Sequence, residues 1–171
     1  MTREDELFRK LNSGDSSALD GLIRLYYPEI FRYCQRHTSD YQTAEDAVQE
    51  TFLKAVRHMD GYTHRGKFRA YLYKIAANVC VDFWRQSAKS ETVTPEAYTE
   101  TGFEKVEAAL SLKAMLETLP EKQREAVILR YVHDLKMREI AAILDEPLRT
   151  VQSRLRSAIR FLEENLKEGG R

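Results

Sequence analysis

The stretch MREIAAILDEPLRTVQSRLRSAIRFL, Met137 to Leu162, decides the reading of the chain. On a helical wheel of about 100° per residue, Val151, Leu155, Ala158, Ile159 and Leu162 share one side, which must pack against something. Arg149, Gln152, Ser153, Arg156 and Arg160 share the other side. Upstream, Ile140, Ala141, Ile143 and Leu144 form a second apolar stripe, and only Asp145, Glu146 and Pro147 separate the two segments. Two short helices joined by a tight turn, with alanines where they cross, predict a helix-turn-helix. In that unit the second helix enters the major groove, where Arg pairs bidentately with guanine and Gln with adenine. Lys136 and Arg138 before it, Arg160 farther along it, and Arg154 on its flank are read as phosphate contacts. Taken alone, the Arg-rich face is read equally well as a solvated surface.

This segment holds four arginines and no acid between Pro147 and Leu162, in a chain of 171 residues whose 27 basic and 27 acidic side chains cancel. The balance conceals local excess. Six bases (Arg65, Lys67, Arg69, Lys74, Arg85, Lys89) face Asp82 alone between Gly61 and Ser90. From Asp40 to Asp60, five acids (Asp40, Glu45, Asp46, Glu50, Asp60) outnumber Lys54 and Arg57. Two basic patches and an acidic one suit surfaces that meet different partners.

With 43% hydrophobic residues, 7 Gly, 4 Pro and no alternating β-branched runs, the chain reads as almost all helix. Amphipathic segments run from Glu4 to about Gln86, with breaks at NSGDS, HTSDYQT and DGYTHRG; Ser13 or Asp15 and then Thr43 are the expected caps. Periodicity lapses between Ser87 and Glu107 and resumes at ALSLKAMLETL, followed by a helix from Glu121 to Leu135 behind Pro120. The expected architecture is therefore all-α, with a helical domain over 1–87, a flexible linker over 88–107 and a second helical domain over 108–171.

No metal or cofactor is expected. Cys34 and Cys80 lack metal-type spacing and read as reduced, packed thiols, and the four histidines are scattered. There is no nucleophile-and-base pair or phosphate loop, so no catalytic residue is assigned and the chain is not read as an enzyme. Without an apolar membrane span or signal core, the expectation is a soluble, cytoplasmic protein with no membrane insertion.

Lys67 to Gln86, KFRAYLYKIAANVCVDFWRQ, joins cations to aromatics. Phe68, Leu72, Ile75, Ala76, Val79 and Phe83 form an apolar stripe; Lys67, Tyr71, Lys74, Asn78, Asp82 and Arg85 form a polar one; Tyr73 and Trp84 fall outside the apolar stripe and are expected to be partly exposed. Cations that follow a backbone, rings that stack on bases and an amide that reads a base edge suit unpaired nucleic acid.

AEDAVQETFLKAVRHMDGY (44–62), FRAYLYKIAANVCVDFWRQ (68–86) and the segment from Leu119 to Leu162 occur in that order, with a linker between the last two. Together they resemble the extracytoplasmic-function (ECF) class of bacterial RNA polymerase sigma factors of the sigma-70 family. The resemblance implies a helical bundle, sigma region 2, that binds core polymerase and the promoter −10 element, and a helix-turn-helix, sigma region 4, that binds the −35 element. It implies that Asp46, Gln49 and Glu50 grip the clamp helices of the largest polymerase subunit, with Phe52 and Leu53 packing beside them or extending the contact. Asn78 matches the Asn beside a pocket for an extruded −10 base, with Phe68, Tyr71 and Lys74 bordering the melted strand and Lys67 and Arg85 on the same track. Arg149, Gln152, Ser153, Arg154 and Arg156 match the −35 helix. A cognate anti-sigma factor is a further implied partner. The chain departs from the family at Asp145, where a turn glycine is usual, and at Arg149, where glycine often precedes "TV"; Asp can adopt a left-handed turn conformation at some cost, so the departure at Asp145 does not threaten the fold.

Two other readings compete. A stand-alone helix-turn-helix regulator would bind duplex DNA without polymerase, and a protein-interaction adaptor would need no nucleic acid at all.

Overall fold

The computed structural model describes residues 1–87 and 111–169, and every regular element among them is helical. The expected linker over 88–107, and Lys89 of the basic stretch, lie outside the described residues. The chain divides into two compact units, Met1–Glu96 and Ala97–Arg171. No helix among the described residues is long and apolar enough to cross a membrane.

In the first unit, α1 (Arg3–Asn12) opens with a capping box in which Thr2 and Asp5 exchange hydrogen bonds. Asp15, just ahead of α2 (Ser17–His37), accepts from the Ser17 amide at 3.0 Å. A Cβ on Gly21 would come within 2.6 Å of a Leu7 methyl, so glycine lets α1 and α2 approach closely. Helix α3 spans Tyr41–Arg57 and begins earlier than the Thr43 cap anticipated. Asp40 is the cap instead: its carboxylate accepts the Thr43 amide at 2.7 Å and the Thr43 hydroxyl at 2.9 Å. A 3-10 turn (Met59–Gly61) and a bend at Gly66, φ 69°, lead into α4 (Phe68–Ser87).

Helices α2, α3 and α4 pack against one another, and α1 lies on α2. Because α4 meets two neighbours, its buried surface is broader than one stripe. Leu72, Ala76 and Val79 are buried as expected, but so is Tyr73, which the wheel left outside the core. Its hydroxyl donates to Glu29 of α2 at 3.1 Å, and the same carboxylate takes the Arg69 guanidinium at 2.8 to 3.1 Å. Arg69 is thereby withdrawn from the basic surface. Trp84, by contrast, is 68% exposed. Cys34 and Cys80 are both buried and in no disulfide.

The chain before α4 is tied to α1 by His64, whose ring stacks on Phe8 at 4.0 Å and whose Nε2 lies 2.9 Å from Asp5 and 3.6 Å from Glu4. Glu4 also accepts from the Tyr26 hydroxyl. Hydrogen bonds from His64 and Thr2 hold Asp5 well below the usual carboxylate range.

In the second unit, residues 111–117 form α5, and Pro120 stands at the N-cap of α6 (Glu121–Val127). The single helix anticipated from Glu121 to Leu135 does not persist: Ile128–Val132 form a π-turn, and the chain reverses at Asp134, φ 51°. The wider turn keeps Ile128 and Leu129 in the core while Tyr131 and Val132 face solvent, and the Arg130 guanidinium caps the Leu135 carbonyl at 3.0 Å. Helix α7 (Met137–Leu144) ends at Asp145 in the left-handed conformation, φ 53° and ψ 49°. This brings the Glu146 amide back to the Ala141 carbonyl at 2.9 Å and starts α8 (Leu148–Gly169) two residues later. Val151, Leu155 and Ala158 of α8 are buried with Ile140 and Ile143 of α7.

Two predictions follow from this packing. Glu29→Ala removes the carboxylate shared by the buried Tyr73 hydroxyl and Arg69 and should destabilise the first unit by about 2–4 kcal/mol in urea unfolding, far more than Gln49→Ala at an exposed position. Burial raises the Tyr62 phenol to about 12, and burial with the nearby carboxylates raises those of Tyr26 and Tyr73 further. Folded phenols thus keep protons that unfolded ones lose near pH 10, so stability is full below pH 10 and falls as pH rises above it. Alkaline titration should unfold the first unit with a cooperative rise in tyrosinate absorbance; independent, non-cooperative titration would refute the assignment.

Candidate nucleic-acid interfaces

Three helix faces carry the candidate residues, and the packing just described decides which of them face solvent. On α8, the apolar side is spent on α6 and α7, leaving Arg149, Ser153, Arg156 and Arg160 exposed and Gln152 half-buried in one row. The Pro147 carbonyl accepts from Thr150 and Val151 at 3.0 and 3.2 Å, so Arg149 lies in the first turn of the helix. Lys136 and Arg138 are exposed at the start of α7. The Glu139 carboxylate accepts the Lys136 amide at 2.7 Å, which fixes the entry to that helix.

Arg154, read from the sequence as a phosphate contact, is engaged within the protein. It turns back to Glu146 in the helix-turn-helix turn, and only 21% of its side chain is exposed. The wheel gave its direction correctly but could not show the acid waiting there.

On α4, Tyr71 is half-buried while Lys74, Asn78 and Arg85 are exposed, at spacings of three, four and seven residues that hold one face. Lys67 is exposed in the turn before the helix, where its carbonyl accepts the Tyr71 amide at 3.0 Å. Phe68 must be corrected: it is 2% exposed, packed 5.0 Å from the Phe8 ring and 5.8 Å from Tyr26, and cannot border a strand. Its place at the surface is taken by Tyr71, tilted against Tyr62 at 5.1 Å and held as a neutral phenol by burial. Trp84, expected to be partly exposed, and Val81, which was not singled out from the sequence, extend the exposed apolar surface of the same helix. Asp82 is drawn toward Lys54 of α3 at 3.9 Å, which lowers the repulsion it would offer a phosphate.

On α3, Asp46 and Gln49 are exposed and Glu50 is half-buried. Asp46 receives a hydrogen bond from Gln42 at 3.1 Å. Leu53, 51% exposed, continues the row, and Val56, missed in the sequence, ends it; its spacing of three residues from Leu53 was the available signal. Phe52 is in the core beside Tyr27, with ring centroids 6.2 Å apart, so it supports this face from beneath rather than touching a partner. The result is an acidic, partly apolar row on α3 and two basic rows on α4 and α8. Among the described residues no cluster of His, Cys, Asp and Glu could hold a metal ion.

The family described as Sigma-70 region 2 matches residues 22–90, and Sigma-70, region 4 matches residues 109–162. The RNA polymerase sigma factor YlaC of Bacillus subtilis is 31% identical over 159 residues, covering 87% of this chain and 92% of that protein. The ECF sigma factor SigW of the same organism is 25% identical, covering 94% and 95%. Among solved structures, CnrH in complex with the cytosolic domain of CnrY matches 98% of this chain and 99% of that one at a TM-score of 0.74 and 22% identity. The sigma factor RpoE of Bartonella quintana, in complex with the anti-sigma factor NepR, matches 86% and 96% at 0.69 and 25% identity. With both regions present in order along an all-helical chain, this protein belongs to the extracytoplasmic-function class of sigma-70 factors.

Proposed function

We propose that the chain is the promoter-specificity subunit of a bacterial RNA polymerase and performs no catalysis itself. The observation that carries this reading is the pair of basic rows. A duplex reader needs only the row on α8; the row of Tyr71, Lys74, Asn78 and Arg85 on α4 has the composition of a single-strand track.

The helix α8 lies in the −35 major groove, with Arg149, Gln152, Ser153 and Arg156 toward base edges and Lys136, Arg138 and Arg160 toward phosphates. The α4 row holds bases that have left the −10 duplex: Lys67, Lys74 and Arg85 follow the backbone, Tyr71 offers a ring face and Asn78 a donor and an acceptor. Unstacking costs a few kcal/mol per step, which capture of the freed base offsets. Asp46, Gln49, Glu50, Leu53 and Val56 meet the clamp helices of core polymerase, a contact that confines the protein to the cytoplasm where the polymerase works. An anti-sigma partner is inferred in addition, since the 25%-identical RpoE was solved with one.

Core polymerase supplied with this protein and genomic DNA should yield RNAs whose 5′ ends lie a fixed distance from two shared sequence elements. Scattered ends, or tight duplex binding that needs no polymerase, would refute the reading. Arg149→Ala or Arg156→Ala should lower initiation at those promoters about 5- to 150-fold, the value of one bidentate base contact, with core affinity unchanged in a pull-down. Asp46→Lys should do the reverse, weakening the core complex at least severalfold while leaving α8 intact.

A further inference from the structure

Glu146 puts a negative charge into the turn of a helix-turn-helix, beside a surface read as DNA-facing. Only 15% of its side chain is exposed. Its carboxylate pairs with Arg154 of α8 and, at 3.6 Å, with Lys122 of α6, while its own amide is bonded to the Ala141 carbonyl of α7 at 2.9 Å. Three helices therefore converge on one residue. The turn itself offers little else to fix the angle of α8: Asp145 sits in a left-handed conformation that an L-residue adopts at a cost, and Pro147 follows at once without an amide donor.

We propose that Glu146 is a positioning residue for −35 recognition, holding α8 at the angle from which Arg149, Gln152, Ser153 and Arg156 meet base edges, and holding Arg154 away from the phosphates. The proposal rests on the duplex-reading role of α8. Arg149 and Arg160 lie about 16 Å apart along the helix axis, so a tilt of about 10° displaces one end by about 3 Å, the length of a hydrogen bond. Productive contacts tolerate about 0.5 Å. A small loosening at Glu146 thus costs base reading before it costs folding.

Simple charge counting gives the opposite expectation, since removing an acid near DNA should tighten binding to any sequence. The two are separated by full-length protein in holoenzyme, on a promoter recovered by sequencing RNA ends and on the same template with its −35 element scrambled. Binding is measured across a salt series, and circular dichroism with thermal melting verifies folding.

For Glu146→Gln the intact-to-scrambled ratio should fall about tenfold, with a salt slope unchanged or steeper by up to about one as Arg154 is released to phosphate. Arg154→Gln should lose the same ratio with no shallower slope, Arg154→Lys should retain most of it, and the double variant Glu146→Gln/Arg154→Gln should be no worse than either single one. If Arg154→Gln instead keeps the ratio and flattens the slope by about one, Arg154 is a phosphate contact and the proposal is overturned. It is overturned equally if Glu146→Gln keeps the ratio. Wild-type holoenzyme that does not distinguish the two templates overturns the reading of α8 and this proposal with it.

Discussion

The carboxylate of Glu29 fixes the rotation of α4, and the exposed surface of the first unit depends on that rotation. A half-buried carboxylate is best satisfied on the spot, and Arg69 and Tyr73 do so from two positions on α4 four residues apart. The helix cannot turn about its axis without breaking both. A rotation of one residue, about 100°, would carry Lys74 toward the core and Tyr73 toward solvent. Which side chains can meet nucleic acid is thus decided by a bond on the far side of the helix, among residues that meet none.

The second unit repeats the device with different parts. Glu146 and Arg154 lie beneath the row on α8 as Glu29 and Arg69 lie behind the row on α4. In each case an arginine that composition alone would add to a basic patch is withdrawn from it. Counting cations therefore overstates both surfaces, and the residues that remain exposed are the ones without an acid in reach of the next helix.

The helix-turn-helix was legible because its evidence is local: two stripes of period 3.6, a three-residue break and alanines at the crossing. Even the left-handed Asp145 could be anticipated, since the turn requires it. What escaped the sequence depends on neighbours. Tyr73 was misplaced because a wheel assumes one packing partner and α4 has two, whereas the wheel put Phe68 in the apolar stripe and only the family resemblance sent it to the strand. The cap of α3 moved from Thr43 to Asp40 because the aspartate three residues upstream accepts from Thr43's own amide and starts the helix earlier. The π-turn at Ile128–Val132 adds one residue to a helical turn and leaves no mark in a pattern of apolar residues. Val56 was legible in principle, as an apolar residue three positions past Leu53, but only burial of the opposite face distinguishes it from core.

The acidic row on α3 and the basic row on α8 belong to separate units, and over the whole chain 27 bases balance 27 acids. Beyond a Debye length of about 8 Å such a molecule draws no net pull from a polyanion. The free protein is therefore not gathered onto chromosomal DNA by charge, and it meets a promoter chiefly as cargo of the polymerase. Under the proposed function its output then follows how much of it the polymerase carries, rather than how much of it is free in solution.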